Sequence, residues 1–319
     1  MDSTTVKNRA HTDEVDLLKK HFGSTIRFFA PGLKHYEIPE FTPVNPNAFL
    51  PISLTGAGCA LDCDHCDKKI LEPMIPLDQK RGLYEMAKTL QSRGTEALLI
   101  SGGSMKNGQV PFLKHIEEIK RIKGELGMKI IMHTGLVSED MVRGLKEAGV
   151  DGVALDIIGD NATIKEVYHL DKTVEDFDQS LYLLDKYELS TRPHIILGLH
   201  YGQMRGEDVA LEMISKYKTH ALILVILTPL QGTKMWGVEP PPVGEVETFF
   251  SYARHKMPTT KILLGCARPG GAYKKAVDFA AIRSGLNGIA YPATGVVEYA
   301  SEFGLQPTFF ENACSCGVE

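Results

Sequence analysis

Several absences narrow this chain before any motif is read. No run of about 18 or more apolar residues occurs in its 319 residues, which argues against a membrane-spanning helix. Positive charge is not in excess: 35 Lys and Arg face 40 Asp and Glu, a net charge of −5. Nucleic acid is therefore not expected as a main partner, because phosphate binding requires concentrated Lys and Arg. The first 22 residues, MDSTTVKNRAHTDEVDLLKKHF, lack the apolar core of a signal peptide and read as a helix. No Pro/Ser-rich linker, low-complexity segment or convincing short repeat divides the chain. Only six cysteines are present, which fits a reducing cytoplasm better than a disulfide framework. At 43% hydrophobic residues, a chain of this length can bury one large core.

Three of those cysteines sit together. Cys59, Cys63 and Cys66 form C-x3-C-x2-C in TGAGCALDCDHCDKK, directly after the apolar run AFLPISL. Soft thiolate ligands select zinc, copper(I) or iron–sulfur clusters. A structural zinc site is normally closed by four Cys or His ligands, and His65 is the one nearby residue that could complete it. A cubane cluster held by three thiolates instead keeps one iron open for a substrate or cofactor.

Short apolar runs alternate with amphipathic segments along the whole chain, the βα rhythm of a parallel sheet covered by helices. Strands are expected near 50–55, 97–101, 129–133, 152–156, 193–198, 222–227, 261–265 and 287–291. Helices are expected near 78–93, 111–125, 138–148, 173–188, 207–218, 243–256 and 273–284. Eight strands with seven interleaved helices predict an α/β fold, a complete (β/α)8 TIM-type barrel over 50–291. Residues 1–49 form an N-terminal helical extension and 292–319 a C-terminal tail that carries cysteines.

A parallel barrel keeps its chemistry at the C-terminal ends of its strands, and the unusual residues fall there. Ser101-Gly102-Gly103-Ser104 follows the second expected strand, where glycines let a ligand approach the backbone; taken alone it is also an ordinary turn. His133 ends the third strand. Asp156 ends the fourth, placed either to meet a ribose hydroxyl or substrate or to cap the following turn. Arg192, before the fifth strand, could clamp a carboxylate in a bidentate contact or be an ordinary surface arginine. His200 reads equally as a structural histidine. Thr228, Pro229, Gln231 and Gly232 follow the sixth strand.

The other cysteines are Cys266, at the mouth end of the seventh strand, and Cys314 and Cys316 in NACSCGVE. Leftover cysteines are by default small buried hydrophobes, but this C-x-C lies in a polar terminus. If the tail folds over the barrel mouth, the three thiolates suffice for a second iron–sulfur cluster, with Ser315, Ser284 or Arg268 as fourth ligand, or an open position. A mobile tail with reactive thiols is the competing reading, and a Cys314–Cys316 disulfide would be strained.

These motifs resemble the radical S-adenosylmethionine (SAM) enzymes, and the resemblance extends from about Leu50 to Gly304. LTPLQGT at 227–233, RHKMP at 254–258, ILLGCARPGG and RSGLNGIAYP are similar to segments of its biotin synthase branch. The resemblance implies a SAM-binding 4Fe–4S cluster on Cys59, Cys63 and Cys66, with His65 near the adenine and the 228–233 segment contacting it through its backbone. It implies SAM contacts from the Gly102–Gly103 loop, where the family has a Gly-Gly-Glu-like segment and this chain has Ser104. It also sets Arg268 where biotin synthase ligates an auxiliary cluster. Cys266, Cys314 and Cys316, with Arg268 nearby, would then hold a sacrificial second 4Fe–4S cluster.

As a whole the chain looks like the archaeal-type two-component lipoyl synthases. That likeness implies sulfur insertion into an octanoyl-lysyl group of a lipoyl carrier domain, on an octanoylated E2 or a glycine-cleavage H protein. A paralogous radical SAM partner and a low-potential reductant such as ferredoxin are implied with it. Other expectations remain: another biotin synthase-like radical enzyme acting on a small molecule (mutase, ring-forming or maturase), or a non-catalytic electron-transfer subunit.

Overall fold

Each strand's position follows from an apolar run that both faces of a parallel sheet can bury. In the computed structural model, which describes residues 3–32 and 36–316, eleven strands form one parallel sheet. They are β1 (Thr25–Phe29), β2 (Phe49–Ser53), β3 (Ile75–Pro76), β4 (Ala97–Ser101), β5 (Lys129–His133), β6 (Gly152–Asp156), β7 (Thr191–Leu197), β8 (Ala221–Ile226), β9 (Lys261–Leu264), β10 (Gly288–Ala290) and β11 (Gln306–Phe310). The eight strands read from the sequence are β2 and β4 to β10.

Helices cover the convex face, among them Gly82–Gln91, Glu139–Ala148, Val174–Lys186, Glu207–Ser215, Val243–Lys256 and Gly271–Arg283. Their ends are locally encoded. Thr173 and Asp176 form a capping box at the start of Val174–Lys186, and Gly149, at φ +70°, ends Glu139–Ala148 in the left-handed conformation. The helix expected over 111–125 is shorter, Ile116–Arg121, and continues as a π-helical turn over Ile122–Leu126. The N-terminal segment forms the helix Ser3–Phe22. No helix among the described residues is long and apolar enough to cross a membrane.

The closed eight-stranded barrel expected from the sequence is instead a curled open sheet. Its order is β11-β1-β10-β9-β8-β7-β6-β5-β4-β2-β3, and the edge strands β11 and β3 are not paired with each other. β1 and β11 come from the two segments read as appendages. β1 inserts between β10 and β11, with Phe28 opposite both Ile289 and Phe309. At the other edge β3 is only two residues long and ends in Pro76, which has no N–H to extend the ladder.

Side chains span the remaining seam. Glu311 accepts from the Val44 and Asn45 N–H groups at 2.6 and 3.0 Å, and Asn312 Nδ2 donates to Glu96 Oε2 at 2.9 Å. Past these contacts the chain turns inward. Ala313, Cys314 and Cys316 are buried against Phe29, Phe49, Ala97, Ala221, Ile223 and Leu263 on the concave face. Alternation along β8 assigns the faces: Ala221, Ile223 and Val225 line the interior, while Leu222, Leu224 and Ile226 pack with the outer core. Alanine at 97, 221 and 290 leaves room for the tail. The last three residues of that segment lie outside the described residues.

Candidate active site

The cysteine loop leaves the C-terminal end of β2 and is pinned by the turn after β4. Ser53 Oγ donates to the Gly56 carbonyl at 2.6 Å, turning the chain where Gly56 has φ +58°. Gly103 N donates to Thr55 Oγ1 at 2.7 Å, Ala60 N to the Ser104 carbonyl at 2.8 Å, and Ser104 N to Cys59 Sγ at 3.3 Å. A Cβ on Gly103 would lie 2.1 Å from the Gly58 carbonyl oxygen and 2.6 Å from Cys59, so only glycine permits this approach. Ser104 thus meets the site through its backbone. Ser101, buried at the end of β4, donates from Oγ to the His133 carbonyl at 3.0 Å.

Three thiols converge here. Cys63 and Cys66 are buried, and burial followed by the charge of the neighbouring cysteines pushes the Cys63 thiol well up. Burial likewise pushes Cys66 up, to about 11. The Cys63 thiol donates to the Tyr168 carbonyl at 3.7 Å. Three soft donors crowded where thiolates repel one another fit a cationic metal centre, which removes the protons and offsets the charge.

His65 lies between them, its ring stacked on Tyr168 with centroids 5.0 Å apart. Burial lowers it to about 4, so it is neutral at pH 7, and its buried Nδ1 has no hydrogen-bond partner in the protein. A buried orphan nitrogen beside three converging thiols suits a polar ligand atom.

Asp64, which sequence reasoning passed over, ties this loop to three others. Its carboxylate accepts from His169 Nε2 and Tyr201 Oη, each at 2.6 Å, and pairs with Lys234 Nζ at 2.7 Å. Its backbone N–H reaches the Val167 carbonyl, and its carbonyl accepts from Met235 N. Burial would push the carboxyl up, but Lys234, Tyr201 and His169 together hold it at about 2. His169 and Tyr201 sit at φ +52° and +51°, left-handed values that cost non-glycine residues about 1–3 kcal/mol each. The one signal in the sequence was an aspartate set between two ligand cysteines.

The other mouth residues gather round the same loop. Asp156 Oδ2 accepts from Tyr168 Oη at 3.4 Å, and burial, then Asp156, keeps that phenol protonated. Ligand atoms of His133, Asp156 and His194 all lie within 4.8 Å of one another. After β8, Thr228 Oγ1 donates to the Ile226 carbonyl at 3.1 Å and Thr233 N to the Leu230 carbonyl at 3.1 Å. Pro229 is half-buried and Gln231 exposed. Gly232, at φ +86°, faces the Lys69 side chain of the cysteine loop.

Arg192 is not among them. It is buried at the N-terminal end of β7, donating from Nη1 to the Ser190 and Asp151 carbonyls at 2.9 and 3.4 Å. Gly152 makes room for it, since a Cβ there would stand 2.0 Å from Nη1. Its guanidinium braces the opposite end of the sheet from the cysteine loop. His200 is bonded to Thr163 Oγ1 and Arg205.

Across the interior the tail sets Cys314 and Cys316 against β7. The Cys316 thiol hydrogen-bonds to Cys314 and to the His194 ring, and Cys314 also feels the charge of Cys266, which is exposed just past β9. Arg268 is buried and engaged at all three guanidinium nitrogens. Nε donates to Asp278 Oδ1 at 2.6 Å, Nη1 to the Gly265 carbonyl at 2.6 Å and Nη2 to the Ala290 carbonyl at 2.7 Å. It therefore acts as a strut joining β9, β10 and Gly271–Arg283. Ser284, bonded to Ser251 and Glu247, belongs to the helical layer.

Residues 53–210 match the radical SAM superfamily. The chain is 24% identical over 241 residues to a biotin synthase of Cenarchaeum symbiosum (strain A), covering 73% of each chain. It is 27% identical over 251 residues to that of Ruthia magnifica subsp. Calyptogena magnifica, covering 74% of each. In fold it resembles methylornithine synthase (PylB), with TM-score 0.62 and 14% identity over 97% of this chain and 91% of that one. It also resembles the FeFe-hydrogenase maturase HydG from Carboxydothermus hydrogenoformans, with TM-score 0.64 and 14% identity over 99% and 74%.

Proposed function

We propose that this chain, which belongs to the radical SAM superfamily in its biotin synthase-like branch, is a sulfur-inserting enzyme acting on an octanoyl-lysyl group of a lipoyl carrier domain beside a paralogous partner. The observation that supports this reading is the inward tail, which buries Cys314 and Cys316 beside His194, across the interior from the cysteine loop.

Cys59, Cys63 and Cys66 would hold a 4Fe–4S cluster. With SAM bound, such a cluster would supply one-electron chemistry able to cleave the SAM sulfonium and activate an unactivated C–H bond. The protein's part is placement. Ser104 N–H fixes the Cys59 sulfur, and Gly102 and Gly103 let SAM approach the backbone. Neutral His65 offers Nδ1, and Asp156, accepting from Tyr168, is set to accept from ribose hydroxyls. The lip Thr228–Gly232 borders the same loop.

Phe29, Ile196, Ile223, Val225 and Leu263 line the interior around Cys314 and Cys316. That apolar lining suits a linear alkyl chain and keeps water from a carbon radical. Cys266, Cys314 and Cys316 would hold a second cluster as the sulfur source, with a ferredoxin-type reductant delivering electrons.

The test is iron and acid-labile sulfide in anaerobically reconstituted protein, beside the Cys59→Ala/Cys63→Ala/Cys66→Ala variant, with turnover of an octanoylated carrier peptide with and without the partner. About eight irons falling to about four, and thiol appearing on the peptide, are expected. Cys314→Ala/Cys316→Ala should still cleave SAM but transfer no sulfur. SAM cleavage by wild type with both clusters present and no thiolation of the peptide would overturn the assignment.

A further inference from the structure

We infer that His194, through Nε2, is the fourth protein ligand of the second iron–sulfur site, with Cys266, Cys314 and Cys316. The inference rests on the sulfur-insertion reading for the existence of that site, and on the following geometry for its ligand.

His194 points into the interior from β7 and is buried. Its Nδ1 lies 3.0 Å from the Arg192 carbonyl oxygen. A carbonyl only accepts, so Nδ1 carries a proton and Nε2 is the nitrogen left to bond a metal, which would displace any proton there. This is how metal-binding imidazoles are commonly oriented, their second nitrogen donating to a carbonyl or carboxylate. A ring nitrogen of His194 lies within 4.8 Å of ligand atoms of His133 and Asp156, and the ring borders Cys316; with Nδ1 engaged, Nε2 is the nitrogen available there. The contact to Cys316 therefore joins two groups that can both ligate metal, in a chamber already holding Cys314.

The other candidates fare worse. Arg268 spends Nε, Nη1 and Nη2 on Asp278 and three carbonyls. Ser284 lies in the helical layer. Ser315 is buried between the two tail cysteines, but its hydroxyl would have to ionise to match them as a donor. His133 is the other imidazole nearby; its ring stands edge-on to His194 at 5.4 Å, with Nε2 3.8 Å from Asp156. A neutral imidazole also completes the donor set without a fourth negative charge in an apolar chamber.

The test uses Cys59→Ala/Cys63→Ala/Cys66→Ala protein, where iron can occupy only the second site, reconstituted and reduced. Pulsed EPR is compared between natural-abundance protein and protein labelled with 15N-histidine. A directly bonded nitrogen that changes with the label, persists in His133→Ala and vanishes in His194→Ala is expected. His194→Cys should keep about four irons while losing the nitrogen coupling, which separates loss of a ligand from loss of the fold. Four irons without any strongly coupled nitrogen, or a coupling that survives His194→Ala, would overturn the ligand. A background that binds no iron would instead remove the site and the sulfur-insertion reading together.

Discussion

The Tyr201 phenol donates to the Asp64 carboxylate at 2.6 Å from a backbone held at φ +51°. The same bond raises the phenol to about 12, so it stays a donor at any working pH. A strained loop residue is thereby fixed to the aspartate between two cluster cysteines, and His169 repeats the arrangement from the next loop at φ +52°. Tyr201→Phe should keep the strain and lose the bond. We expect destabilisation of about 1–3 kcal/mol and slower cluster assembly, read from urea midpoints of apo protein and from iron uptake.

Asp64 sits at about 2 in the folded chain against an ordinary 3.8. A depressed carboxyl stabilises the fold above its unfolded value, and that contribution fades as pH falls from about 4 towards 2. The shift corresponds to about 2 kcal/mol. Denaturant midpoints of apo wild type should therefore drop more steeply than those of Asp64→Asn between pH 5 and pH 2.5. Parallel curves would show that the carboxylate is not the clamp.

Gly103→Ala places a methyl group against Gly58 and Cys59. The two loops must separate by an ångström or more, which displaces both the Ser104 N–H and the sulfur it holds. Iron should fall by about four per chain and SAM cleavage should drop with it, while iron at the proposed second site is retained.

Arg268→Ala leaves Asp278 buried with only Lys274 and the Ala293 N–H as partners. Breaking a buried pair on one side costs about 3–5 kcal/mol, and thermal denaturation should show that loss. In protein that remains folded, the EPR signal of the proposed second cluster should be unchanged; a changed signal would restore Arg268 as a ligand.

Glu311→Ala removes the acceptor for the Val44 and Asn45 amides at the open seam. The Val44 and Asn45 amides should exchange faster with deuterium, and the tail cysteines should react faster with a thiol reagent. A partly exposed pair of bonds predicts a stability change of only about 1–2 kcal/mol. Unchanged exchange at both amides would mean that Glu311 does not hold the tail, leaving Asn312 and the buried residues 313–316 to do so.

The sequence by itself determined the eight central strands, the helices between them and the cysteine loop after β2. These features are local: apolar runs such as ALILVI at 221–226 and ligand spacings within eight residues can be read one segment at a time. It also placed Ser101–Ser104, His133, Asp156 and Thr228–Gly232 at the strand ends, where the structure gathers them.

Tertiary structure decided what depends on residues far apart in the chain. β1 looks like any short apolar run until β10 and β11 flank it. What bridges the open seam depends on Glu311 meeting Val44, 267 positions away. Arg192 and Arg268 looked like ligand-binding arginines, yet carbonyls that no pattern lists claim their donors. Asp64 and His194 carried no motif, because each role is set by what converges on it: three loops on Asp64, and on His194 a tail that only small side chains at 97, 221 and 290 let inside.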